Sequence, residues 1–360
     1  MDVYSEENIL VGILSRLPVR SLLRFKCVSK FWGTLIDEPY FKMKNLTHAK
    51  KDKTFQKFLF YKLRPKKSIF SIYSCSVSSV QLVEDIRELN CPLNIEPRHC
   101  IVYCCCDGLV IIKVYENSVE RQILLLWNPS TGESIVLPNP EFPMEEFSCL
   151  GMCFDSTSND YKILKIPNGV SDHNRVPGEV LALKSGSWRK IVEHPRDICC
   201  MVHGMHSLAF IHGSFHWVGN SKRYFVVSFD ISHEVYGEIS LPEQISLISI
   251  NIGISILDGM LCAYTNAYIQ GNRTFTLWVM NDYGLKESWH RIFSIADPDI
   301  CIAAPKYRFA DGEVLFWCLH CESGENAYRT ERGPFTLLPH GILQNGFAFT
   351  ESLVSPRLLT

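Results

Sequence analysis

The chain has 360 residues, 46% of them hydrophobic and 21% charged, with a formal net charge of −2. That composition is ordinary for a globular protein with ample core. The near-neutral balance excludes a general electrostatic pull toward nucleic acid or anionic membrane. No apolar run approaches the roughly 18–20 residues of a membrane span, and acidic Asp2, Glu6 and Glu7 argue against a secretory leader.

The first segment reads as helical. Ile9, Leu10, Ile13, Leu14 and Leu17 follow the spacing of one helix face. Ser5 is a candidate N-cap, with Glu6 and Glu7 in a first turn that favours negative charge. Pro18 ends this helix, because the residue before a proline is driven out of α geometry. Ser21 is a candidate cap for a second helix, whose apolar face would hold Leu22, Leu23, Cys27, Val28 and Phe31. Trp32, Leu35 and Ile36 suggest a short third helix ending before Pro39. Residues 1–45 are thus expected to form a three-helix unit with more apolar surface than it can bury alone. A lysine-rich stretch, "KMKNLTHAKKDK" (42–53), reads as a solvated connector; the linker proper is placed at 46–54.

From residue 55 to residue 360 the character is all-β. "KFLFYKL", "QILLLW", "YFVVSFDI" and "TFTLWVM" are rich in β-branched and aromatic residues, and "NPSTGE", "SGS" and "NDYG" are turn signals. A turn leading into an apolar strand recurs at Asp107, Asp160, His212, Asp258 and Asp311, at steps of 53, 52, 46 and 53 residues. After each of the first four comes a strand–turn–strand element: residues 126–138, 181–191, 227–242 and 278–292. A period near 50 with four short strands per unit is the size of a kelch-type β-propeller blade. Six blades are expected within a range of five to eight, with residues 55–106 supplying or completing one. A curved open stack of sheets is the alternative.

There are 15 cysteines in no regular framework. This fits a reduced cytoplasmic or nuclear protein whose cysteines pack as small apolar groups. "CCMVHGMH" (Cys199, Cys200, His203, His206) and "CLHC" (Cys318, His320, Cys321) each lack the second ligand pair of a finger-type zinc site, so no metal or other cofactor is expected. A nucleophile elbow and a phosphate-binding loop are both missing. His216, in "HGSFHWV", reads as a hydrogen-bonded strand residue before a general base. Trp127, Trp188, Trp217, Trp278 and Trp289 recur near strand ends and read as blade packing. No catalytic residue is assigned. A propeller enzyme is disfavoured because no acid–base or metal set repeats toward a common axis.

"ILSRLPVRSLLRFKCVSKFWGTLI" (13–36) resembles the F-box of plant F-box proteins. "LWNPSTGE", "FDSTSNDYKIL", "SGSWR", "HGSFHWV", "SFDISHEVYGEISLP", "DGMLC" and "WVMNDYGLKESWHRI" resemble the F-box-associated, kelch-like region of that family, with the S-locus branch nearest. The resemblance implies an F-box at 1–45, a basic linker at 46–54 and a kelch-like propeller of about six blades at 55–360. It also implies a non-catalytic substrate receptor of an SCF-type ubiquitin ligase. The F-box would dock a Skp-type adaptor and, through it, a cullin and a RING subunit. The β domain would hold a protein target for ubiquitination. Carried over by position, the adaptor-binding residues are Ile13, Leu14, Leu17, Pro18, Leu22, Leu23, Cys27, Val28 and Trp32, with Trp32 also able to pack inside the unit. The S-locus branch opens a self-incompatibility role with a secreted ribonuclease as target, one reading among several. Residues 168–179, 266–274 and 322–333 are expected as contact loops. The family's F-box opens on Leu-Pro, and here that pair is Tyr4-Ser5. The alternative is therefore a propeller binding module whose altered F-box start keeps it out of a ligase.

Overall fold

The computed structural model describes residues 3–64, 69–77, 86–94, 99–115, 122–142, 148–167, 177–192, 199–201, 207–246, 251–269, 272–297, 299–320, 324–330, 333–335 and 343–359. Four helices come first: α1 (Val3–Leu14), α2 (Val19–Phe25), α3 (Lys30–Asp37) and α4 (Pro39–Lys51). The sequence reading differs in three places. Ser5 lies inside α1, and Ser21 lies inside α2, which starts directly after Pro18. The second helix also stops at Phe25, leaving Cys27 and Val28 in a turn and Phe31 on α3. Ser29 causes that break by capping α3, its side chain accepting from the Trp32 amide at 3.1 Å.

The expected linker at 46–54 is corrected as well. Its first six residues complete α4, because Phe41, Asn45, Leu46 and Ala49 are buried along one face. The lysine run had hidden this periodicity. Pro39 stands in the first turn of α4, where a missing N–H costs nothing. Asp52 then caps a single 3-10 turn, Lys53–Phe55, through the Thr54 amide at 2.9 Å.

Among the described residues, the remaining regular structure is β apart from short helical turns, one of them α5 (Glu243–Ser246). The first sheet holds β1 (Gln56–Arg64), β2 (Ile69–Ser76) and β3 (Arg87–Leu89). The second holds β4 (His99–Cys106), β5 (Leu109–Tyr115), β6 (Gln122–Trp127) and β7 (Ser134–Val136). The third holds β8 (Cys149–Asp155), β9 (Asp160–Ile166), β10 (Glu179–Ala182) and β11 (Ser187–Lys190). The fourth holds β12 (Cys199–Met201), β13 (Ala209–Ile211), β14 (Ser214–Asn220), β15 (Tyr224–Asp230) and β16 (Val235–Ser240), with β12 and β13 sharing one edge of β14. The fifth holds β17 (Ile252–Leu257), β18 (Met260–Ile269), β19 (Asn272–Met280) and β20 (Trp289–Ala296). The sixth holds β21 (Ile300–Arg308), β22 (Val314–His320), β23 (Gly324–Arg329) and β24 (Gly333–Phe335). Finally β25 (Leu343–Thr350) pairs with β1. It takes the edge that the first strand takes in the other sheets, so the order of the first is β25-β1-β2-β3. Among the described residues these are six sheets of a β-propeller, the first of them completed by β25.

The period-50 pattern corresponds to a physical unit. Each recurring turn introduces the second strand of a sheet: β5, β9, β14, β18 and β22. At Asp258-Gly259 both residues have positive φ, 50° and 76°, and Leu257 pairs with Met260 across them. That is a two-residue turn whose twist matches its strands. His212-Gly213, at 50° and 77°, does the same between Ile211 and Ser214.

The chain divides into two compact units. One comprises Met1–Ile101, Cys105–Leu137 and Gly346–Thr360; the other comprises Val102–Cys104 and Pro138–Asn345. In the second unit, apolar clusters join neighbouring sheets. Leu164, Ile166 and Val180 meet Phe215, Trp217 and Phe229. Val226 and Ile239 meet Leu261, Ala263 and Trp289. Phe275 stacks on Phe316 at 5.6 Å within the next cluster. Polar groups join the same sheets. Asp155 accepts from Ser232 Oγ at 2.7 Å and pairs with Lys162 at 2.7 Å, while Asn266 exchanges two hydrogen bonds with the backbone of Ala303.

Candidate adaptor-docking surface and the residues around it

The four helices enclose a small core of Val11, Leu14, Val19, Leu22, Leu35, Ile36 and Phe41, with Leu353 from the far end of the chain. Asn45 of α4, itself fully buried, donates from Nδ2 to Ser15 O at 2.9 Å and Leu17 O at 3.3 Å. It thereby satisfies two carbonyls of the turn between α1 and α2. Phe25 and Trp32 pack edge to face at 5.2 Å, so Trp32 ties α3 to the end of α2. Lys26 and Lys42 converge on Asp37 at 2.8 and 3.4 Å. Partial burial works against the Asp37 carboxylate, yet the two ammonium groups hold it below the usual range.

This core divides the nine residues carried over by position. Leu14 and Leu22 are 3% and 0% exposed. They pack inside the core of the helical unit. Leu17, Leu23 and Trp32 are partly buried against the same core. Ile13, Pro18, Cys27 and Val28 are exposed. Four other exposed apolar residues, Ile9, Phe31, Tyr40 and Met43, were not among the nine. Together with Ile13 and Val28 they are between 50% and 65% exposed. They fall in three pairs, Ile9 with Ile13 on α1, Val28 with Phe31 at the α2–α3 turn, and Tyr40 with Met43 on α4. Spacing alone could have found them. The stripe on α1 is too wide for one core face, and Val11 and Leu14 already fill the inward side. Exposed large apolar side chains at this density on four short helices are the mark of a surface awaiting a partner.

Elsewhere the tempting chemistry resolves into structure. His216 is buried on β14, with Nε2 at 2.7 Å from the Tyr283 hydroxyl. Burial pushes its pKa down to about 4. Cys318 is a buried free thiol whose pKa burial raises. His203, His206 and Cys321, and the side chains of Cys199, Cys200 and His320, lie outside the described residues. Among the described residues no group of three His, Cys, Asp or Glu side chains could hold a metal. Parts of the three expected contact loops, 168–176, 270–271, 322–323 and 331–332, also lie outside the described residues.

Two of the five recurring tryptophans, and one tyrosine, share a geometry. Trp188 Nε1 donates to Pro138 O at 2.8 Å, Tyr236 Oη to Val192 O at 3.0 Å, and Trp289 Nε1 to Ser240 O at 3.0 Å. Each donor stands on the last strand of its sheet, and each acceptor lies at or just past the end of the preceding sheet's last strand. Within the second unit, the Tyr236 and Trp289 bonds are polar stitches from one sheet to the next.

Residues 56–323 match the family described as the F-box associated beta propeller domain, and residues 7–44 match the F-box domain. With helices and sheets arranged as above, the chain belongs to the F-box proteins that carry an F-box-associated β-propeller. It is 26% identical to the F-box protein CPR1 of Arabidopsis thaliana, over 81% of this chain and 73% of that protein. An F-box/kelch-repeat protein of the same plant is 25% identical over 93% and 91%. Among solved structures, TolB from Acinetobacter baumannii shares the fold, with a TM-score of 0.51 and 9% identity over 86% of this chain and 73% of that one. No described helix is long and apolar enough to cross a membrane.

Proposed function

We propose that the chain is the substrate-recognition subunit of an SCF-type ubiquitin ligase, with no catalytic role of its own. The F-box would dock a Skp-type adaptor and, through it, a cullin and a RING subunit, while the β-propeller would hold a protein target. One observation carries this reading: six large apolar residues stand exposed on the F-box helices and the α2–α3 turn, above a core that is already closed. Aliphatic and aromatic anchors of that kind supply most of the energy of a protein interface.

The test is co-purification with a Skp-type adaptor. The intact protein is expected to co-elute with it. Ile13→Asp and Val28→Asp are each expected to weaken binding at least about 30-fold, since an anchor truncated at an interface costs roughly 2 kcal/mol or more. Neither should lower the melting temperature by more than a degree or two, because neither side chain is in the core. An intact protein that fails to bind the adaptor would sink the proposal and favour a binding module outside any ligase. Tyr4-Ser5 in place of Leu-Pro is the feature that favours that second reading. Restoring Leu-Pro at these positions is expected to tighten binding if the difference weakens the first contact.

A further inference from the structure

Residues 351–355 leave β25 and enter ground shared by the helices and the first two sheets. Leu353 is 4% exposed and sits in the core of α1–α4. On either side of it, Asn128 holds the backbone: its Nδ2 donates to Ser352 O at 3.0 Å and to Val354 O at 2.8 Å. The other end of that amide is engaged too, with Oδ1 accepting from the Ser130 amide at 2.8 Å. One fully buried side chain therefore closes the β6–β7 turn and grips the tail. Ser352 Oγ donates to Asp107 O at 2.6 Å, in the β4–β5 turn. Gly108 makes room for that contact, because a Cβ there would stand 2.2 Å from Ser352 Oγ. Asp107 in turn pairs with Lys50 of α4 at 2.5 Å. The Glu351 amide donates to Phe55 O at 3.0 Å, where the helices join β1.

We infer that residues 351–355 are a clip that locks the F-box helices to the β-sheet residues of the same unit. Asn128 and Ser352 are its positioning residues and Leu353 its plug. A helical unit joined to a sheet at one point keeps a hinge there, and a second attachment at a separate place removes it. The covalent join runs from α4 through the capped turn at Asp52 into β1. The clip is the second attachment, about 300 residues later in the chain. It stands whether or not an adaptor binds. Its use rests on the receptor reading: a fixed F-box presents the docked target to the ligase at one distance and angle.

The experiment needs no adaptor, so failure to bind one would leave it untouched. Genetically encoded spin labels replace two exposed residues of the same unit, Lys30 on α3 and Val136 on β7, in the full chain. The distance distribution between them is measured by pulsed electron resonance. A single narrow distribution is expected for the wild type. Asn128→Asp sets a carboxylate against two carbonyls and is expected to broaden it about two-fold by releasing the tail. Ser352→Ala, which removes one hydroxyl and keeps the apolar packing, is expected to broaden it less, and it carries the test if Asn128→Asp does not fold. A broad distribution in the wild type, or widths unchanged in Ser352→Ala and in any folded Asn128→Asp, overturns the clip.

Discussion

Two buried titratable groups give this protein two separate responses to acid. His216 has its pKa pushed down to about 4 by burial. The unfolded chain, with an imidazole near 6.5, binds a proton that the native state refuses. Stability therefore falls as pH drops from about 6.5 to about 4, by up to roughly 3 kcal/mol over that window. Asp155 works lower down. Burial alone would raise its carboxyl, but Lys162, Ser158 and Ser232 outweigh burial and hold it well below the usual range. Its contribution is complete above pH 4 and drains away only in stronger acid. His216→Gln, which cannot be protonated, is expected to flatten urea midpoints between pH 7 and pH 4.5. Asp155→Asn is expected to leave that slope intact and lower stability throughout. The opposite pattern would mean that His216 is not the group refusing the proton. Lys165 and Glu179 show a different economy of charge. Both are fully buried, 2.8 Å apart, and between them they bind Phe142 O and the Glu141 amide. Glu179→Leu strands the ammonium with one carbonyl and is expected to cost about 3–5 kcal/mol in denaturant unfolding. Changing both residues to apolar ones should cost clearly less than that.

At the scale of elements, what the sequence disclosed and what it hid follow from the range of the forces involved. The recurring turns were legible because their chemistry is local: Asp258-Gly259 must accept positive φ at both residues whatever surrounds it. The strands β5, β9, β14, β18 and β22 begin at or just after these turns. The tail of α4 was not legible, because its buried face answers to Ser15 and Leu17 through Asn45. The core of the helical unit was half legible. Helical spacing places Ile13 and Leu14 on adjacent faces, but only the arrival of Phe41 and Leu353 decides which one is covered. The aromatic stitches lie between these cases. The sequence shows Trp188 and Trp289 recurring, and the structure adds Tyr236 as the third member, which no tryptophan count would have found. Their weights should differ. Trp289 is buried and Trp188 only partly so, and the hydrogen bond to Ser240 O is partly buried while that to Pro138 O is exposed. Trp289→Phe is expected to cost about 2 kcal/mol and Trp188→Phe no more than about 1, read from urea midpoints at constant slope.

At the scale of the whole chain, the beginning of the sequence depends on its end. The first sheet is closed by β25, and the core of α1–α4 is filled by Leu353, so both wait for the last twenty residues. An F-box of some forty residues is short of core by itself, and a Leu at 4% exposure is a large share of what it has. Removing such a side chain costs about 2–5 kcal/mol, enough to unfold a marginal unit. The helices and the first sheet should accordingly open together. Native-state hydrogen exchange is expected to give the slowest amides of α1 and of β1 the same opening free energy in the full chain. Ending the chain after Thr350 keeps β25 and removes the plug. The two sets should then separate, with α1 exchanging at least about 30-fold faster while β1 keeps most of its protection. If α1 and β1 stay matched in the shortened chain, Leu353 is a passenger and the helices close their core without it. If they separate, then truncations at the far C-terminus would also weaken adaptor binding, although every exposed apolar residue of the F-box is still in place.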